Sequence, residues 1–332
     1  MTESTVNPLV SIIVRTKDRP KLLMRALRSI AAETYRPIEV VVANDGGCPL
    51  DAGALRSVLG DVSLSYLPLE QNTGRAHAGN VGIRNAKGEY VGFLDDDDEF
   101  YPEHLGTLVA ALGGSGFNVA YAAVEFVDEV LDSEGTRVSS HLKGTFATPF
   151  SYDDLLIGNY IPLISLLFRT AALRSLMFDE SFELYEDWDM LIRAAEAAPF
   201  LFVDKITSAY YQRDDSQMAF KSPPEVLREA TIKLYEKHRA KLPLGIVFTM
   251  REKLYRKDGM IAQKEARLRE LEVRVDDLEG VALNLRNILQ ERDSYIQSIH
   301  ATRGWRLLTR SYRIGQWFLR LMGWRTSKCE NS

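Results

Sequence analysis

Three short apolar runs constrain this chain more than any other feature: LVSIIV from Leu9, IEVVVA from Ile38 and YVGFL from Tyr90, each followed directly by polar and charged residues. Runs of this length separated by amphipathic stretches read as strands, and helices are expected over 20–33, 76–87 and 102–112. Strands that are apolar on both faces need a helix layer on each side, which selects a mostly parallel central sheet flanked by helices, an α/β fold. Ligands bind such sheets beyond the carboxyl ends of the strands, so the residues after each run are the functional candidates.

With 45% hydrophobic and 26% charged residues among 332, the chain can bury a sizeable core, and wholesale disorder is excluded. Cys48 and Cys329 stand at opposite ends without metal-ligand spacing, so neither a disulfide framework nor a cysteine-rich zinc site is expected. A reducing cytoplasm suits that usage. No basic segment followed by an apolar stretch opens the sequence, and no uncharged apolar run reaches spanning length, so neither a signal peptide nor a membrane span is expected. The five histidines form no metal cluster; His77 and His104 lie near the candidate site and read as structural or solvent-facing.

The net charge of -5 hides an asymmetry, because residues 301–328 carry seven Lys or Arg and no acid. Four segments are expected: an α/β domain over 1–220, a helical connector over 221–250, a coiled coil over 251–300 and a basic aromatic amphipathic tail over 301–332. No proline follows Pro243, and apolar residues recur every seventh position at Leu254, Ile261, Leu268, Val275, Ala282, Leu289 and Ile296. A second seam holds Leu271, Leu278, Leu285 and Ile299, interrupted by Lys257, Lys264 and Arg292. So narrow a repeat suits a partner helix and implies a homo-oligomer, the alternative being a long helix lying on its own domain. In the tail, Trp305, Trp317 and Trp324 interleave with arginines, which suits peripheral contact with an anionic membrane over 301–328. Packing of the tail on the protein is the alternative; nucleic acid is not an expected partner.

The third run ends in FLDDDDEF, placing Asp95, Asp96, Asp97, Asp98 and Glu99 in succession. Each carboxylate raises the cost of ionising the next, so the cluster suits either a generic acidic turn or a divalent cation held through oxygen. Magnesium or manganese held by few carboxylates keeps positions for substrate phosphates. The second run ends in VVVANDGG, with Asp45 beside two glycines that permit a tight turn, and the first ends in VRTKDRP, with Thr16, Asp18 and Arg19. Downstream, ELYEDWDMLIRAAEAAP sets Glu186, Asp187 and Asp189 at the start of a helix, where acids either cap the helix or supply a general base.

Together, SIIVRTKDRP, VVVANDGG, QNTGRAHAGNVGIRNAKGEYVGFLDDDDEFYPEHL and YEDWDMLIRAA resemble the family 2 glycosyltransferases of the GT-A fold, over roughly residues 8–215. That resemblance implies an inverting transferase that moves a sugar from a nucleotide-diphosphate sugar to an acceptor hydroxyl with Mg²⁺ or Mn²⁺. It implies that Thr16 and Asp45 hold the nucleobase, that Asp95, Asp96 and Asp97 form the acidic metal and ribose motif with Asp97 foremost on the metal, and that Asp187 is the catalytic base positioned by Glu186. It also implies donor contacts from Arg19, Arg75 and Asn80, an acceptor-side Trp188, and a closing loop with Arg213 and Gln217. Arg15, Lys17, Asp18 and Asn44 depart from the common pattern at the edges of the donor pocket. Joined to a stalk and a basic tail, such a domain suits glycan or lipid-linked acceptors at the inner membrane face, as in bacterial surface-polysaccharide synthesis. A non-catalytic nucleotide-sugar-binding scaffold is the alternative. Nucleotidyl transfer is less suited, because VRTKDRP lacks the glycines of a triphosphate loop.

Overall fold

The computed structural model describes residues 7–132, 135–213, 222–243 and 245–322. The chain opens with β1 (Val10–Thr16), α1 (Pro20–Ala31), β2 (Ile38–Asn44), α2 (Ala52–Leu59), β3 (Ser63–Pro68), α3 (Arg75–Asn85) and β4 (Tyr90–Asp95). Then come β5 (Glu99–Phe100), α4 (His104–Leu112), the long pair β6 (Val119–Leu131) and β7 (Arg137–Phe146), and α5 (Tyr152–Ile157). The unit is completed by β8 (Leu166–Arg169), α6 (Thr170–Leu176), α7 (Glu186–Ala197), β9 (Leu201–Gln212) and α8 (Pro224–His238). Last come α9 (Ile246–Ala301) and α10 (Arg303–Leu321). The three expected helices are present, with ends within two residues of those expected.

The strands form one sheet in the order β3-β2-β1-β4-β8-β6-β9-β5, with β7 paired to β6. Its first half is the expected parallel sheet, since β3, β2, β1 and β4 all run parallel. The second half is mixed: β8 runs antiparallel to both β4 and β6, β7 to β6 and β5 to β9, while β6 and β9 are parallel. Only β6 repeats the apolar run of the first half, over Val119–Val124, and it then turns polar; β7 is exposed along nearly its whole length, so the pattern that announces a doubly covered parallel strand is missing there.

Side-chain alternation explains the two cores. Ile12, Val14, Val40 and Val42 face α1, α2 and α4, whereas Ile13, Val41, Val91 and Phe93 face α3, α6 and α7. Helix α1 meets its face with Leu23, Ala26, Leu27 and Ile30, spaced three and four apart, and Pro20 fixes its first turn. Each fully buried aliphatic side chain contributes about 1.5–3 kcal/mol, so the paired layers hold the strand ends rigidly. On α3, Gly82 lets the helix lie against β1, because a Cβ there would stand 2.4 Å from Ile13 Cγ2. His104 is buried, stacks on Phe100 and bonds Thr207 Oγ1 at 2.8 Å; burial pushes its imidazole down to about 3, which keeps it neutral and structural.

Two compact units divide the chain, Met1–Met250 and Arg251–Ser332. Within the second, α9 continues as one helix through Gly259 and Gly280, and its seam residues are exposed, Leu268 by 58% and Leu278 by 65%. Helix α10 is amphipathic, with Leu307, Leu308, Tyr312, Phe318 and Leu321 all more than half exposed. Among the described residues no helix is long and apolar enough to cross a membrane.

Candidate active site

Parallel register brings the three candidate turns to one edge. Thr16 of β1 lies beside Asn44 of β2, and Arg15 lies beside Asp95 of β4, so the residues after all three runs open into one cleft of about 1010 Å³. Thr16, Arg19, Asp45, Arg75, Asp95 and Asp97 line it, together with Lys17, Asp18, Glu180 and Tyr210. Local backbone builds the wall. Gly46 has φ +67°, and a Cβ there would stand 2.2 Å from Asn72 N, so this turn closes on the 71–74 loop only as glycine. Asp45 ties that loop down: Oδ1 accepts from Thr73 N at 2.8 Å and Oδ2 from Gly74 N at 2.9 Å, at the start of α3. Asp18, at φ 54°, accepts from Cys48 N at 2.8 Å and fixes the opposing turn.

The acidic run separates by environment. Asp96 is fully buried, accepts from Thr16 Oγ1 at 2.6 Å and meets Arg19 at 2.5 Å. Burial pushes its carboxyl up to about 7 against the opposing charge of Arg19, with Asp97 adding to the rise. Expected as part of the metal and ribose motif, Asp96 does not line the cleft and instead orients Thr16 and Arg19. Asp97 lines the cleft and pairs with Arg19 at 2.9 Å and Arg213 at 2.6 Å. Asp95, one-third exposed, pairs with Arg15 at 2.8 Å; burial would raise its carboxyl, but Arg15, Arg75 and Arg19 outweigh that and hold it below the usual range. Asp98 is buried, accepts from Tyr211 N at 2.8 Å, and burial raises its carboxyl well above the usual range, so it serves the strand rather than the cleft.

Glu186 and Asp187 begin α7 directly after Tyr185, which is held at φ 68°, a strained backbone region for a non-glycine residue. Neither acid is among the residues that line the cleft; Arg15 connects them to it. Its guanidinium is buried, donates to Asp95 Oδ1 and, at 3.3 Å, to Glu186 Oε1, so one cation joins the β4 acids to the α7 acids. Arg75 approaches the same Glu186 oxygen at 3.7 Å. Asp187 is half-buried, accepts from Asn159 Nδ2 at 3.0 Å and from Trp188 N at 2.7 Å. Burial and the adjacent Glu186 push its carboxyl up to about 6, against the pull of Trp188 N–H, Arg75 and Arg15.

Several expectations are corrected. Asn80 is buried away from the cleft, bonding Phe178 O, Phe178 N and Glu180, and so pins the segment that precedes α7. Trp188 is not on an acceptor surface: its ring lies in the core and Nε1 donates to Leu155 O at 2.6 Å. Asp189 is buried with Arg193, Lys237 and His238, a fastening between α7 and α8. Arg213 does not line the cleft; it reaches Asp97 from behind while also bonding Glu129 at 2.7 Å. Gln217 and, in the tail, Trp324, Arg325, Lys328 and Cys329 lie outside the described residues.

Sequence reading missed Arg15, Asn159 and Glu129 as supports. Arg15 carried a signal, a cation inside an apolar strand; Glu129 and Asn159 carried none, because their partners are distant in the chain. As a metal site, the cleft offers hard oxygens from Asp95 and Asp97. Among the described residues no group of three or more potential ligands is assembled. Both carboxylates are paired with arginines in this structure, Asp95 with Arg15 and Asp97 with Arg19 and Arg213.

Comparison with known proteins bears on the family and the fold. Residues 11–174 match the family model for Glycosyl transferase family 2. An uncharacterized glycosyltransferase of Bacillus subtilis, YwdF, is 29% identical over 188 residues, 56% of this chain and 68% of that protein. WcaA of Escherichia coli K12, named as a candidate colanic acid biosynthesis glycosyl transferase, is 26% identical over 56% of this chain and 66% of its own length. A crystal structure of S. aureus TarS in complex with UDP-GlcNAc shares the fold, with a TM-score of 0.53 at 21% identity, over 68% of this chain and 65% of that one. The matched segment holds every strand-end motif of the cleft and stops short of Glu186, Asp187 and Arg213, and it is over this segment that the chain matches glycosyl transferase family 2.

Proposed function

We propose that this protein moves a sugar from a nucleotide-diphosphate sugar to a hydroxyl of a glycan or lipid-linked acceptor, with inversion and with Mg²⁺ or Mn²⁺, in bacterial surface-polysaccharide synthesis. The observation that carries this reading is Arg15, which joins the cleft carboxylate Asp95 to Glu186, the neighbour of a half-buried Asp187. Asp187 takes the acceptor proton as the acceptor oxygen bonds the anomeric carbon; the carbon–oxygen bond to the diphosphate breaks on the opposite face and the nucleoside diphosphate leaves. A carboxyl near 6 is matched to that task at neutral pH. Asp97 and Asp95 would hold the cation, which when bound neutralises charge on the leaving diphosphate. Arg19 and Arg75 add fixed positive charge along the same wall, and Asp45 and Thr16 bound the end suited to the base. The complex of TarS with UDP-GlcNAc supports a nucleotide-sugar donor, and WcaA supports a polysaccharide pathway.

A thermal-shift screen tests this. A matching nucleotide sugar with Mn²⁺ or Mg²⁺ is expected to raise the Tm, corresponding to about 2.7 kcal/mol at a hundredfold excess over Kd, and EDTA to remove most of the rise. Sugar transfer to an acceptor distinguishes the enzyme from a scaffold, which would bind without turnover.

The same proposal gives α9 a coiled-coil role in a homo-oligomer and gives α10 a peripheral membrane role. Trp305, Leu307, Leu308, Tyr312 and Phe318 cover one broad arc of α10, Arg306, Arg310 and Arg313 lie on the other with Trp317 among them, and residues 303–322 contain no acid. Sedimentation with vesicles rich in anionic lipid, and its loss in neutral vesicles or high salt, is the expected result; equal recovery without vesicles would reject it.

A further inference from the structure

Helix α9 carries flanking charges that say how its seam is covered. Leu268, Leu271, Val275, Leu278, Leu285 and Leu289 are 42–65% exposed in the single chain. Arg267 and Arg274 each stand one residue before a first-seam position, and Glu272 and Glu279 each stand one residue after a second-seam position. We infer that the occupant of this seam is a second copy of the chain, parallel and in register; this deepens the coiled-coil role proposed above. In a parallel pair, the residue before a first-seam position faces the partner residue five further on, so Arg267 meets Glu272 of the second copy and Arg274 meets its Glu279. In an antiparallel pair each flank faces its own kind, acid against acid and base against base, at a cost in stability. Arg267 meets Glu270 on its own helix, but both are more than half exposed, and such a pair contributes under about 1 kcal/mol, so it exchanges readily.

The seam chemistry agrees. Ile261, Val275 and Ile296 put β-branched residues in the first seam, alongside Leu254, Leu268, Ala282 and Leu289, and Leu271, Leu278 and Leu285 put leucine in the second; the β-branched positions paired with leucine favour two strands. Lys257, Lys264 and Arg292 would meet their own copies in the second seam, which concentrates tight pairing between Leu268 and Leu289, with the long cationic stems reaching out to water on either side. A shared chain direction carries both copies of α10 to the same end of the coil. Two basic amphipathic helices then engage one surface together, and the second contact becomes effectively intramolecular.

The test uses the full chain with Cys48→Ser and Cys329→Ser, carrying Leu271→Cys or Leu285→Cys. The two positions are about 21 Å apart along a helix. Parallel pairing in register predicts a covalent dimer for each variant alone on mild oxidation, and a mass of two chains by light scattering before it. Cross-linking only when the two variants are mixed, in only one of them, or a monomer at tens of micromolar overturns the inference. Arg267→Glu with Arg274→Glu is expected to weaken self-association at least tenfold, and mixing it with Glu272→Arg plus Glu279→Arg is expected to restore a heterodimer; unchanged self-association overturns it as well. Sugar transfer assayed in the same preparations separates failure of the coil from failure of the transferase reading, since the catalytic residues are untouched.

Discussion

Asp187→Asn is expected to lower kcat by about 10³-fold while the Kd for donor changes less than about twofold, because general-base catalysis contributes about 10²–10⁴ and the amide keeps the shape of the carboxylate. The pH profile provides a second readout. Asp187 must be ionised to accept a proton, and its carboxyl is raised to about 6, so the wild-type rate is expected to fall tenfold per pH unit below about 6 and to level off above it. The Asn variant should lack that limb. Steady-state kinetics across pH, with donor binding by calorimetry, checks both parts, and ordinary turnover in the variant would reject Asp187 as the base.

Arg15→Met has the largest expected effect on stability. The wild-type guanidinium is 6% exposed and stands between Asp95 and Glu186, and Glu186 is itself 3% exposed. Removing the cation leaves a buried carboxylate without its main partner, at a cost of about 3 kcal/mol, which urea unfolding would show as a lower midpoint. Asp95 is one-third exposed and recovers part of its hydration, so most of the loss belongs to Glu186. Adding Glu186→Gln should recover part of it, since the neutral amide no longer needs the charge. The pH limb should also move. Arg15 pulls the Asp187 carboxyl down, so without it the limb shifts above about 6. A variant with wild-type stability and an unmoved limb would show that Arg15 does not join the two acidic motifs.

The parts of this protein legible in its sequence are those governed by local pattern. LVSIIV, IEVVVA and YVGFL became buried parallel strands because a strand apolar on both faces has few other stable environments. The acidic and glycine turns after them share one edge because parallel register aligns strand ends, and the unbroken seven-residue repeat became one helix. The mixed half of the sheet was not legible, because pairing of β6, β8 and β9 is chosen by which backbone edges meet, and no local pattern encodes that.

Within the site, residue type pointed to Asp95, Asp97 and Asp187 but not to the differing environments of neighbouring acids. Asp96 and Asp97 are adjacent and identical, yet one is sealed beneath Thr16 while the other opens on the cleft. Asn80 and Trp188 matched expected motifs and proved to be fastenings of the core. Arg15 looked like an irregularity of β1 until the fold set it between strand and helix acids 80 and 171 residues away. Hydrophobic periodicity is a property of near neighbours and survives in the one-dimensional sequence. The protonation and duty of a carboxylate depend on burial and on charges brought from remote segments, and those exist only once the chain has folded.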